Sequence, residues 1–221
     1  MPLKQNQVSD KVKAHVQYVN SNGEKVVGVT TVLSVLNKPF LVVWANRLGL
    51  AGIDSTKFKD KMADIGTIAH LLVMHHLKGT TPDLDEFSKA DIDTAQNCMK
   101  SFYEWEKVHK LEPIILEAPL VSDIYNYGGS ADFIGKVDGI MEIIDFKTGK
   151  AIYSEYLTQT AAYRQLAKEK GYTVNRARIL RIGRDDSEGF EERLTTKFDL
   201  DFELFKHCLA IYNIQKELKR G

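Results

Sequence analysis

The chain has 221 residues, 43% hydrophobic and 10% aromatic, enough to build one domain with a substantial core and too little for two comfortable ones. Thirty Lys and Arg balance thirty Asp and Glu, so a polyanion would have to be held by a local basic patch or a metal, and bulk charge neither suggests nor excludes nucleic acid. Two cysteines, Cys98 and Cys208, rule out a disulfide framework, a four-thiolate zinc site and an iron-sulfur cluster, and read as ordinary reduced thiols. No apolar run approaches the roughly 18 residues of a membrane span, and "MPLKQNQVSDKVKAH" lacks a signal-peptide core, so the expectation is a soluble protein inside a cell, in the cytoplasm, a host's cytoplasm or an organelle.

"HVQYVNSNGEKVVGV" alternates around Asn22-Gly23 and predicts an opening hairpin, after which Thr30 or Thr31 caps a helical region divided by Pro39. "FLVVWANRLGL" continues that region; "FKDKMADIGTIAHLLVMHHL" predicts a longer helix with Met62, Ile65, Ile68, Ala69 and Leu72 on one stripe. "LDEFSKADIDTAQNCMKSFYEWEKVHKL" predicts a third. From Pro113 the period changes: "IILEAPLVS", "GGSADFIGKV" and "IMEIIDFK" read as three strands, with turns at Gly128-Gly129 and Asp138-Gly139. A helix over about 153–170, strands "RARILRI" and "FEERLTTKF", and a helix "DFELFKHCLAIYNIQKEL" complete the chain. The order predicts an α/β fold with a mixed central sheet flanked by helices, in a single domain over 1–221. Residues 1–112 form its hairpin and helical part, and 113–221 the sheet core and last helix. The step from "IIDFK" to "RARILRI" predicts a crossover between parallel strands.

Side chains alternate along a strand, so Asp145, Lys147 and Ile143 share one face of "IMEIIDFK" while Ile144 and Phe146 take the other. If Asp138-Gly139 is a two-residue turn, Val137 pairs with Ile140, and counting outward sets Asp132 opposite Asp145 and Ser130 opposite Lys147. Two opposed carboxylates repel unless a cation lies between them, which makes Asp132 and Asp145 candidate oxygen ligands with Lys147 alongside. Gly66 and His70, four apart on a helix, leave room beside an imidazole; Gln159 and Tyr163, four apart on the helix after Lys147, form a second stripe shared with Tyr156. His75, His76, His109 and His207 read as surface histidines.

The ordered set Gly66-x-x-x-His70, "GGSADF", "DFK" and Gln159-x-x-x-Tyr163 resembles the RecB-like branch of the PD-(D/E)XK nuclease superfamily. The upstream "VTTVLSVLNKPFLVVWA" is similar to the opening helices of stand-alone phage and mitochondrial members. The resemblance implies a restriction-endonuclease-like core with an N-terminal helical elaboration, and a DNA exonuclease dependent on Mg²⁺ or Mn²⁺ that serves replication, recombination, repair or phage DNA metabolism. It implies His70, Asp132, Asp145 and the Phe146 carbonyl as metal ligands, Lys147 as the catalytic lysine, and Gln159 and Tyr163 near the DNA strand. Ala131 replaces the proline of the superfamily's name, and the branch with four cluster-binding cysteines is excluded.

Several residues keep two readings. Glu117 in "LEAPL" is either a carboxylate supporting the metal site or a plain exposed strand residue. Arg176, Arg178, Arg181 and Arg184, with Lys150 near the site, either meet phosphates or decorate an exposed strand. Phe40, Trp44 and Arg47 either arch over a single strand or pack the core. The expected partner is DNA, single-stranded or with free ends, with replication or recombination proteins as further partners and no membrane. The competing reading is a non-catalytic or endonucleolytic DNA-binding module of the same fold.

Overall fold

The computed structural model describes residues 16–221; His15, with which the predicted hairpin begins, lies outside the described residues. Two strands, β1 (Tyr18–Val19) and β2 (Lys25–Gly28), form the opening hairpin around Gly23, whose φ of 79° suits glycine. A single turn of helix, α1 (Val29–Leu33), starts from Gly28, so neither Thr30 nor Thr31 caps it; both fall within its first turn. Pro39 opens α2 (Phe40–Leu50), where its missing N–H costs nothing. Asp54 caps α3 (Ser55–Lys78) by accepting from the N–H groups of Thr56 at 2.8 Å and Lys57 at 3.1 Å, and Gly79 ends it in the left-handed region. The third long helix, α4 (Lys89–Glu106), is shorter than its apolar pattern, because Ser88 caps it through the Asp91 N–H.

The strands then depart from the expected three. "IILEAPLVS" divides into β3 (Leu111–Leu116) and β4 (Leu120–Ser122), and "GGSADFIGKV" into β5 (Tyr127–Gly129) and β6 (Phe133–Val137). After them come β7 (Ile140–Lys147), α5 (Ser154–Glu169), β8 (Arg176–Ile182), β9 (Phe190–Thr195) and α6 (Asp199–Leu218). The broken strands serve two sheets. A four-stranded sheet runs β1-β2-β5-β4, with β2 and β5 parallel, and a five-stranded one runs β3-β6-β7-β8-β9. Gly128 and Gly129 therefore belong to a strand and make no turn. A Cβ on Gly128 would lie 2.4 Å from the Tyr18 ring, and one on Gly129 2.6 Å from the Tyr163 ring, so both glycines make room for aromatics.

The predicted mixed α/β architecture is what the chain adopts: β7 and β8 are parallel, the other ladders of the larger sheet antiparallel, and helices cover both its faces. Alternation along β7 divides the core in two. Ile143 joins Tyr127, Tyr163, Leu166 and Phe205 on the side of α5 and α6, and Ile144 with Phe146 joins Ile68, Met74 and Phe102 on the side of α3 and α4. The arginines of β8 do not decorate an exposed strand: β8 is internal, Arg178 and Arg181 are buried and paired with Glu142 and Glu192, and with Glu191, and Arg176 also pairs with Glu142; just past β8, Arg184 is buried and paired with Glu188. Among the described residues no helix is long and apolar enough to cross a membrane.

Candidate active site

The Asp138-Gly139 turn has φ of 53° and 82°, the signature of a tight hairpin, and it sets the expected register from Val137↔Ile140 to Phe133↔Ile144. Asp132 is the next residue out, at the level of Asp145. There β6 ends: Asp132 Oδ2 accepts the Phe146 N–H at 2.7 Å, so a side chain takes the place of the backbone acceptor that a longer strand would have offered. Ser130 consequently does not face Lys147; its hydroxyl lies 3.4 Å from that of Tyr18.

Asp132 sits where the chain crosses from the small sheet to the large one, and Glu117 sits where it crosses back. The two crossings are hydrogen-bonded side by side, the Glu117 N–H reaching the carbonyls of Ala131 at 3.2 Å and Asp132 at 3.3 Å. Glu117 has φ of 51°, a left-handed conformation that costs a side-chain-bearing residue on the order of 1 kcal/mol. That conformation sets its carboxylate beside the site. Glu117, Asp132 and His70 each bring a ligand atom within 4.8 Å of the others, a grouping that could hold a metal ion.

His70 arrives on α3, with its ring edge-on to Phe146 at 6.4 Å between centroids and Nδ1 3.6 Å from Asp132 Oδ1. The space left by Gly66, one turn earlier, is filled by Thr148 and not by the imidazole: a Cβ there would lie 2.9 Å from Thr148 Oγ1. Asp145 is nearly inaccessible, with 3% of its side chain exposed, and its Oδ2 lies 2.6 Å from Lys147 Nζ. The angle of that approach does not make a hydrogen bond, and Oδ2 has no other donor.

The electrostatics follow from these placements. Burial drives the Asp145 carboxyl up, Lys147 opposes it, the Asp132 carboxylate reinforces it, and the result is a pKa of about 6. Burial and the Asp132 charge also raise Glu117, against Lys78 and His70. For Asp132, burial is outweighed by His70, Lys147 and the Phe146 N–H, which hold it below the usual carboxylate range. Burial works against a charge on His70, yet Asp132 lifts its pKa above the ordinary imidazole value. A cluster of acids that repel one another, with a buried oxygen lacking a donor, fits a divalent cation, and oxygen donors plus one imidazole and no thiolate suit Mg²⁺ or Mn²⁺.

Lys147 is held from three sides: by Asp145, by Gln159 Oε1, to which Nζ donates at 3.2 Å, and by the Tyr156 ring, whose centroid lies 4.6 Å from Nζ. Gln159 in turn donates from Nε2 to the Tyr163 hydroxyl at 2.8 Å. The stripe on α5 thus positions the lysine. Tyr163 is buried behind Gln159, and Tyr156 is a partner of Lys147 that the helical spacing placed on the right side without giving it a role. Lys147 and Tyr156 form a wall shared by two cavities. One, about 530 Å³, reaches Gly66, His70, Glu117 and Phe146; the other, about 830 Å³, extends under the segment from Thr30 to Leu41 and includes Gln159.

Around these cavities, α2 buries none of its side chains. Phe40 stacks on Tyr153 at 5.0 Å, Trp44 rests at 6.2 Å from Phe58, and Arg47 is exposed. Trp44 is thus not a core residue. Lys150 lies exposed just past β7.

No family model and no curated protein matches the sequence. Solved structures to which the chain is similar include a candidate exonuclease from Eubacterium rectale, at 12% identity and a TM-score of 0.48 over 70% of this chain and 66% of that one, just under two thirds of its length. An alkaline exonuclease from Laribacter hongkongensis aligns over 72% of this chain and 86% of its own, with a TM-score of 0.39 and 12% identity, or 16% for its complex with dAMP. Likenesses this distant assign no activity to the chain.

Proposed function

We propose that the protein is a metal-dependent deoxyribonuclease, an exonuclease that hydrolyses phosphodiester bonds with Mg²⁺ or Mn²⁺. The observation that carries the reading is the convergence of His70, Glu117 and Asp132 from three separate segments beside the Asp145–Lys147 pair, with His70, Glu117 and Lys147 lining one cavity. His70, Asp132, Asp145 and the Phe146 carbonyl would hold the ion, with Glu117 added to the set by its place in the cluster. The ion, when bound, supplies charge neutralisation for a phosphate and a more acidic water.

The chain's own residues account for the rest. Lys147 presents its ammonium to the reacting phosphate, orients the attacking water and offsets the charge that develops. Asp145, Gln159 and the Tyr156 ring fix that ammonium, so little ordering is left for the moment of reaction. The two cavities provide a path on either side of Lys147, with Lys150 near one mouth and the exposed aromatic and apolar residues of α2 near the other. Replication, recombination or repair is the setting in which such an enzyme would act.

The test is release of label from end-labelled DNA by the purified chain in Mg²⁺ or Mn²⁺ and in EDTA. Release with either ion and none in EDTA is expected. Binding of DNA without cleavage under any ion would favour a non-catalytic module, and rapid nicking of closed circles an endonuclease.

A further inference from the structure

We infer that the stacked rings of Phe40 and Tyr153, with Tyr156 behind them, form a subsite for the unpaired nucleobase of a nucleotide next to the reacting phosphate. The inference rests on the nuclease reading for the place of that phosphate, and goes beyond it in naming what the neighbouring surface binds. Phe40 and Tyr153 lie nearly parallel, with ring centroids 5.0 Å apart and planes 8° apart. Tyr153 meets Tyr156 edge-on at 5.6 Å, and Tyr156 is the ring beneath the Lys147 ammonium. The three rings thus lead in unbroken contact from Lys147 to the surface.

Core packing does not account for them. None of the three belongs to either hydrophobic core, and Phe40 is 40% exposed on a helix that buries none of its side chains. The platform is nevertheless fixed. Lys38, two residues before Phe40, pairs at 2.5 Å with Glu155, two residues after Tyr153, so the two segments that supply the rings are tied together beside the stack. Surface ordered in advance loses little entropy when a ligand settles on it.

The cavity along these rings names the ligand. Lys147 and Lys38 are the two ammonium groups in its lining, and Glu155, its one carboxylate, already meets the Lys38 charge. Away from Lys147 a phosphate therefore finds little net attraction. What the wall does offer is aromatic surface together with the polar side chains of Thr30 and Asn37, in a space of about 830 Å³. A nucleobase matches both, with its π-face for the rings and its polar edge for the wall. Within a duplex that face is covered by the next base pair, so the ligand is a single strand, of any sequence, since every base has a π-face.

The test measures binding of the full chain to a fluorescein-labelled single-stranded oligonucleotide by anisotropy in EDTA, so that cleavage plays no part. Phe40→Leu keeps an apolar side chain of similar size without the ring, and should weaken binding about tenfold, as should Tyr153→Leu, while Phe40→Tyr should retain the affinity. The loss should be equal at low and high salt, because stacking releases no counterions, and binding of a blunt duplex should not change. The preference of the unchanged chain for a strand with bases over the same strand of abasic residues should shrink about tenfold in Phe40→Leu, which couples the ring to the base. Single-strand affinity unmoved by Phe40→Leu, or a preference for bases that persists in full in that variant, would overturn the subsite. Either result beside intact cleavage in Mg²⁺ or Mn²⁺ would leave the nuclease reading standing; the expected losses in a chain that cleaves with neither ion would sink that reading and keep the subsite.

Discussion

Asp145 and Lys147 are the residues on which two opposing demands fall. The carboxylate is buried beside a second acid, a destabilising arrangement for the cation-free fold, and the lysine relieves only part of it. If Asp145 holds the ion, Asp145→Ala should weaken Mn²⁺ binding in calorimetry by at least about tenfold. Lys147→Ala should retain that affinity while turnover falls by about 10²–10⁴. Equal metal affinities and equal residual rates in the two variants would contradict the division of roles.

The same burial has a thermodynamic signature in the absence of metal. Asp145 titrates in the folded chain near pH 6, against an unfolded value about two units lower. The folded state therefore binds the extra proton between those values, and its stability falls as pH rises through that window. Glu117 and His70 are both raised as well, so they push in the same direction, whereas the lowered Asp132 acts only at more acidic pH. The cation-free protein should melt at a higher temperature at pH 5 than at pH 7. Asp145→Asn should remove part of that difference by stabilising the protein at pH 7, at the expense of metal binding. A melting temperature independent of pH over this range would show that the three groups are solvated.

At the scale of elements, close backbone approaches decide where strands can run. Gly135 on β6 faces β3 at its irregular step between Pro113 and Ile115, and a Cβ there would lie 2.4 Å from the Glu112 carbonyl oxygen. Because that neighbour is backbone, it cannot rotate away. Gly135→Ala should cost more than about 2 kcal/mol in denaturant unfolding. Gly139→Ala meets no atom and strains only a positive φ, so about 1 kcal/mol is expected. Comparable losses for the two would mean that β3 can shift to absorb the methyl group. The pairing of β3 with β6 matters to the site because β3 leads directly into Glu117.

At the scale of the whole molecule, net charge is balanced and the arginines of β8 are consumed internally, so little long-range attraction remains for a duplex. If the chain is the proposed exonuclease, it must capture its substrate locally, at the cavities on either side of Lys147 and under the exposed α2. Linear single-stranded or frayed DNA should then be degraded and a closed single-stranded circle resisted, with activity falling as salt rises. Cutting of the circle at the linear rate would remove the threading requirement and leave the metal site standing.

What the sequence determined by itself was whatever depends on near neighbours along the chain. Asp138-Gly139 dictates a tight turn, the turn dictates register, and the register puts Asp132 level with Asp145; the alternation of β7 likewise assigns Asp145 and Lys147 to one face, and helical spacing aligns Gln159 with Tyr163 and Tyr156. The tertiary structure alone decided the rest. A strand that leaves one sheet for another looks continuous in its apolar pattern, since what divides β3 from β4 and β5 from β6 is pairing with residues as distant as Val27 and Tyr127. Glu117 owes its place to that crossing, as His70 does to the packing of α3 against Phe146. The arginines of β8 carry no local mark of burial, because the carboxylates that neutralise them, on Glu142, Glu191 and Glu192, come from the strands on either side.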